Sequence, residues 1–228
     1  MLRRRRLPVL AEISGPAEEA RAWSLRRGDF EALEGALPRL EEQRVVLLTG
    51  EAEAAPVAGV ALAAAAAASG RRTILVECDL ARPRLAAQVG LAAAPGLHEY
   101  LRWEAEAAEL LQPVVLGGPA AGAAGEPLVC VCGGRPATKA ETLLGLQSFA
   151  HMVMKLRNAY ELVLLVGAPV IEEPRPCSTV ARHADAVIAG LSGSAAGGRG
   201  REAKATERAL RRLHATRLGT VVVVPSSA

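Results

Sequence analysis

The chain has 228 residues, a net charge of +3, 50% hydrophobic and 22% charged residues, a globular profile that allows one sizeable core. So small a net charge makes no case for nucleic acid, and 3% aromatics argue against a base-stacking platform. Aliphatic side chains, mostly Leu, Val and Ala, must fill the core.

Residues 1–43 read as a leader before the main domain at 44–228. Arg3 to Arg6 form a basic run, by default a solvated tail and in a sharper reading a contact for anionic lipid. Leu7–Ile13 is expected to be extended, with helices over Pro16–Leu25 and Asp29–Leu40, Asp29 acting as N-cap. Val45–Leu48 is a continuous apolar run of the kind buried on both faces of a sheet. Val57–Ser69 follows as a helix closed by Gly70, then Thr73–Val76 as a strand. A helix is expected over Leu97–Leu111, a Gly/Ala/Pro loop over Gly117–Pro127 and a strand over Leu128–Val131. Thr138 and Glu141 have capping-box spacing for a helix over Thr138–Asn158. Strand Leu162–Val166, a short helix Ser178–His183 and strand Ala186–Leu191 come next. A turn over Ser192–Gly200, a basic helix Glu202–His214 and strand Thr220–Val224 complete the pattern. Alternating strands and helices predict an α/β fold, a doubly wound, mainly parallel sheet flanked by helices. No run has signal-peptide boundaries or spanning length, so a cytoplasmic chain is expected.

The four cysteines, Cys78, Cys130, Cys132 and Cys177, have neither zinc nor C-x-x-C spacing, and reduced buried thiols are expected. The thiols of Cys130 and Cys132 are expected on opposite faces of their strand. His98, His151, His183 and His214 are scattered, so no metal site is expected. Ser178 and Thr179 suit an N-cap better than a nucleophile. Trp23 and Trp103 read as core anchors or interface residues.

The segment Arg44 to Arg84 carries the most information. Strand, loop, helix and strand reproduce the frame of a phosphate-binding unit, yet the loop lacks its chemistry. A Walker A loop, G-x-x-x-x-G-K-[ST], closes backbone N–H groups on phosphate, neutralises it with Lys and holds Mg²⁺ with a hydroxyl. Between Thr49 and Leu62 stand no Lys, Arg or Ser. Thr49 and Gly50 are the loop's remaining weak candidates for cofactor binding. Glu51 and Glu53 put negative charge where polyphosphate would sit, and Pro56 removes an N–H from the helix start.

Motifs in order along the chain resemble the cytoplasmic domain of bacterial tyrosine kinases of capsule and exopolysaccharide synthesis, within the MinD/ParA-like deviant Walker P-loop proteins. Leu7-Pro8-Val9-Leu10-Ala11-Glu12-Ile13 resembles the family's lead-in. Leu75-Val76-Glu77-Cys78-Asp79-Leu80-Ala81-Arg82-Pro83-Arg84-Leu85 resembles its second Walker-type motif. Gly96 to Glu104, Val131 to Pro136 with Glu141 to Leu144, and Tyr160 to Val170 echo three further stretches. The resemblance implies a P-loop NTPase-like fold and would make Glu77, Asp79 and Arg82 remnants of a catalytic site. An exposed ion pair is the plainer reading of Asp79 and Arg82. The resemblance also locates the departures. The loop is about two residues short of the family pattern, Val166 stands at the Walker B Asp, and Ala81 replaces an Arg. The only tyrosines are Tyr100 and Tyr160, not a C-terminal cluster, and Glu31, Glu34 and Leu37 do not make the family's assembly pattern.

The expectation is a pseudo-kinase or pseudo-ATPase that needs no cofactor. It would dock on a membrane-bound chain-length regulator or an active kinase paralogue, with peripheral membrane contact through that partner. One alternative keeps ATP and Mg²⁺ and a residual kinase or ATPase built on Glu77, Asp79 and Arg82. Another is a MinD/ParA-like positioning protein. The basic helix between Arg199 and Arg217 reads first as a solvated outer face.

Overall fold

The computed structural model describes residues 7–15, 25–117, 127–193 and 200–225. Its strands are β1 (Val9–Ser14), β2 (Val45–Gly50), β3 (Thr73–Glu77), β4 (Gln112–Pro113), β5 (Val129–Val131), β6 (Leu162–Val166), β7 (Ala186–Ser192) and β8 (Thr216–Val224). They form one sheet in the order β1-β8-β7-β2-β6-β3-β5-β4. Every pairing is parallel except β4 with β5. The fold is therefore the expected α/β, mainly parallel sheet. The helices are α1 (Arg27–Glu34), α2 (Ala54–Ala68), α3 (Leu85–Val89), α4 (Leu97–Leu101), α5 (Ala140–Leu144), α6 (Gln147–Ala159), α7 (Pro174–Ala181) and α8 (Arg201–Leu210).

Period-two alternation divides each central strand between two cores. On one side Val46, Leu48, Leu75, Leu164 and Val166 meet α2, with α1 and α3 adding Leu33, Leu85 and Val89. On the other, Val45, Leu47, Val163 and Leu165 meet side chains of α4 to α8, among them Phe149, Cys177 and Leu210. All residues of β2, β3 and β6 are buried, as parallel strands covered on both faces require. Helix α2 is apolar all round and has 14 buried residues among its 15, because α1 covers the side turned away from the sheet. The leader segment thus supplies an edge strand, β1 on β8, and a lid on α2.

Several local expectations change. Helix α1 begins after Arg26, not Asp29, and a separate 3-10 turn covers Leu37–Leu40, with Pro38 in its first turn. Asp29 instead accepts the Ser14 backbone N–H at 3.1 Å, tying α1 to the end of β1. The expected helix 97–111 stops at Leu101. A left-handed Trp103, φ 63°, breaks it before a 3-10 turn at Ala107–Leu110. The helix expected from Thr138 divides into α5 and α6 at Gly145, and Lys139, without a side-chain cap, takes the N-cap position. Helix α7 starts at Pro174, so Ser178 and Thr179 lie within it and cap nothing. Cys130 and Cys132 are two apart, share one strand face and pack in the same core, correcting the opposite-face expectation. All four cysteines are free and buried. Trp103 is 83% exposed and anchors no core. Residues 16–24, with Trp23, the Arg3–Arg6 run and most of the 117–127 and 192–200 loops lie outside the described residues. Among the described residues, no helix is long and apolar enough to cross a membrane.

Candidate functional site

Ligands of open α/β sheets bind at the carboxyl ends of the strands. Here β2, β3 and β6 end side by side at Gly50, Glu77 and Val166. Between β2 and α2 lie only Glu51, Ala52 and Glu53, for the helix begins at Ala54, three residues ahead of the expected Val57. The first-turn residues Ala54, Ala55 and Pro56 are buried. Gly50 has φ +141°, and a Cβ there would stand 2.2 Å from the Gly190 carbonyl oxygen. A Cβ on Gly190 would in turn stand 2.5 Å from Ala55 Cα. The loop is thus pressed against β7, and both glycines are required by close backbone approach.

Each polar group of this loop that sequence singled out has a protein partner. Thr49 is fully buried and donates to the Ala168 carbonyl at 2.7 Å. Glu51 accepts the Ser192 backbone N–H at 2.8 Å. Glu53 pairs with Arg84, a residue beyond β3 that spacing alone did not connect to the loop.

Glu77 is buried at the end of β3. One carboxylate oxygen accepts the backbone N–H groups of Arg84 and, at 2.8 Å, Leu85, which begin α3; the other accepts Gly133 N–H at 2.8 Å. Burial, reinforced by the nearby charge of Asp79, outweighs these donors and lifts the carboxyl above its ordinary value. Asp79, half-buried, accepts the Arg82 backbone N–H at 3.2 Å, and burial raises its carboxyl as well. The Arg82 guanidinium turns to Glu172 at 2.9 Å, and its second terminal nitrogen is buried without a hydrogen-bond partner among the described residues. The three motif residues are therefore neighbours in space but do not converge as one polar cluster. Glu77 holds backbone, Asp79 shapes the turn, and Arg82 reaches across to the β6–α7 connection.

Val166 packs into α2. A Cβ on Gly59 would lie 2.7 Å from Val166 Cγ2, so the helix approaches β6 closely only because residue 59 has no side chain. Beside the site, buried Glu99 accepts Gly96 N–H at 2.8 Å and the Arg135 backbone and guanidinium at 3.1 and 2.8 Å. Burial opposes its ionisation, but Arg135 and the backbone donors prevail and hold its carboxyl below the ordinary value. Arg135 also pairs with Glu104 at 2.5 Å. No spacing rule pointed to this network, because its members meet only through tertiary packing. Among the described residues no group of three His, Cys, Asp or Glu side chains could hold a metal ion.

No protein-family model and no curated protein matches the sequence. Solved structures do match the fold. The chimerical protein CapA2B2 superposes with a TM-score of 0.77 at 17% identity, over 95% of this chain and 94% of that one. The kinase domain of Escherichia coli tyrosine kinase ETK gives 0.76 at 16% identity, over 97% and 92%. The fold is that of bacterial tyrosine-kinase domains. The septum site-determining protein MinD from Pyrococcus horikoshii, complexed with Mg-ADP, is a more distant match at 0.56 and 14% identity, over 78% and 69%. On this tyrosine-kinase-domain fold, the three-residue β2–α2 loop occupies the P-loop position and Val166 the end of the adjoining strand.

Proposed function

We propose that this chain is a non-catalytic relative of the polysaccharide-assembly tyrosine kinases and acts as a regulatory or scaffolding partner. The observation that carries the reading is the β2–α2 connection. A Walker loop needs a Lys and a hydroxyl where the helix starts. Here two of the three connecting residues, Glu51 and Glu53, are acidic, and the helix opens on Ala54, Ala55, Pro56 and Val57, which supply neither. A nucleotide with Mg²⁺, as held by the MinD neighbour, does not fit these residues. Arg84, the cation that reaches the loop, is already paired with Glu53, and the Thr49 hydroxyl is already donated to Ala168. At the Walker B position an apolar side chain is packed on α2. The metal of phosphoryl transfer bridges β and γ oxygens and offsets developing charge, and no group here takes over that work.

Isothermal titration calorimetry with Mg-ATP tests the proposal. No saturable heat is expected at millimolar nucleotide, and micromolar binding would overturn it. A membrane-bound chain-length regulator or an active kinase paralogue is the partner class the resemblance suggests. Glycosyltransferase, flippase or chain-length genes beside this one would support that assignment, whereas a partition gene would favour a positioning role.

A residual ATPase is the second reading, favoured by the unpartnered buried nitrogen of Arg82 beside Asp79. Phosphate release lost in Asp79→Ala would establish it. Its weakness is Glu77, whose two oxygens already accept three backbone N–H groups.

A further inference from the structure

On the sheet face opposite α2, helices α7 and α8 border a groove of about 410 Å³. Val170 and Leu213, both buried, and Ala209 give it an apolar floor, and Ile171 at its rim is 46% exposed. Arg208 and Arg212 line the α8 side. Arg208 stands in the last turn of α8 and Arg212 just past its C-cap, Arg211, so both border the groove where the helix ends. Both are exposed, and neither side chain is paired with a carboxylate among the described residues. Residues 201–217 hold six Arg or Lys against two Glu, a larger positive excess than the +3 of the entire chain.

We propose that this groove docks an acidic amphipathic helix of a protein partner. Apolar side chains of the incoming helix would cover Ile171 and the floor, and its flanking carboxylates would meet Arg208 and Arg212. An apolar trough between two helices is a form that binds a helix through its i, i+3, i+4 face, while the fixed charges select the sign of the partner and speed encounter. A free inorganic anion would gain nothing from the apolar floor. A membrane surface would meet the exposed arginines but could not enter the recess to cover Val170 and Leu213. The inference is independent of the nucleotide reading, because its test contains no nucleotide.

The probe is a fluorescein-labelled synthetic helix with leucine on one face and glutamate on the other, titrated with the full chain and followed by anisotropy. Saturable binding is expected, weakened on the order of 10-fold or more in Ile171→Asp and in the double variant Arg208→Glu/Arg212→Glu. A matching leucine–lysine helix should not bind. The three positions are exposed, and unchanged circular dichroism of each variant would verify its fold. Absence of saturable binding, or equal affinity in the variants, would overturn the proposal. So would vesicles containing phosphatidylglycerol that bind the chain and are lost only on charge reversal, which would assign the surface to membrane.

Discussion

Glu77 shows how a motif residue can be committed to architecture. It links three segments, the end of β3, the start of α3 and the turn after β5, through three backbone N–H groups. Removing the acceptor strands those donors in a buried place, at a cost of about 3 kcal/mol. Glu77→Ala should lower the urea unfolding free energy by roughly that amount, whereas a residue poised only for catalysis would leave it unchanged. Its titration gives an independent check. Burial raises the folded carboxyl, so folding favours the protonated form. That contribution is fully present below the unfolded value of about 4.3 and is lost as pH rises through the folded value. The stability of the wild type measured relative to Glu77→Gln should therefore fall from about pH 4 upward. A rise in that relative stability over the same range would reverse the assignment. The motif spacing made Glu77, Asp79 and Arg82 legible as a group. It could not show that Arg82 pairs with Glu172, 90 positions away, because an ion pair between distant segments leaves no local pattern.

At the scale of elements, α2 and β6 are fitted to one another. Gly59→Ala gains about 1 kcal/mol of helix propensity but drives a methyl into Val166, an overpacking cost of about 1–3 kcal/mol. Net destabilisation is expected for Gly59→Ala alone, with recovery when Val166→Ala makes room. A double-mutant cycle should give a favourable coupling of about 1 kcal/mol or more, and additivity would mean that the contact is not tight. Introducing a carboxylate with Val166→Asp should destabilise for a related reason. The new charge would be buried against an apolar helix, at an expected cost of about 3 kcal/mol or more in chemical denaturation. Element boundaries were the least legible feature. The apolar runs of β2, β3 and β6 announced themselves, but the breaks at Trp103 and Gly145 did not. After those breaks α4 meets α5 and α5 meets α7, contacts between separate segments that no local propensity encodes.

For the whole molecule, the described residues 7–15 and 25–43 are joined to the rest by contact on two sides. Strand β1 completes the sheet on β8, and α1 covers the outer surface of α2. A helix apolar all round cannot face water. Deleting residues 1–43 should therefore abolish the cooperative unfolding transition. A truncated chain that kept native near-ultraviolet circular dichroism and a sharp melt would show that this segment is an accessory.

What the sequence determined by itself was the class of fold and the composition of the stretch between Thr49 and Leu62. Alternating apolar runs and amphipathic or apolar helices can be satisfied by few architectures, and the absence of Lys, Arg and Ser from a short stretch needs no coordinates to be seen. Only the tertiary structure decided what the remaining groups do. It showed that Thr49, Glu51 and Glu53 have protein partners, that Val166 fills the notch at Gly59, and that Arg208 and Arg212 border an apolar groove. The physical reason is range. Propensity and periodicity act over one turn or one pleat, whereas desolvation, ion pairing and close packing depend on which distant segments the sheet brings together.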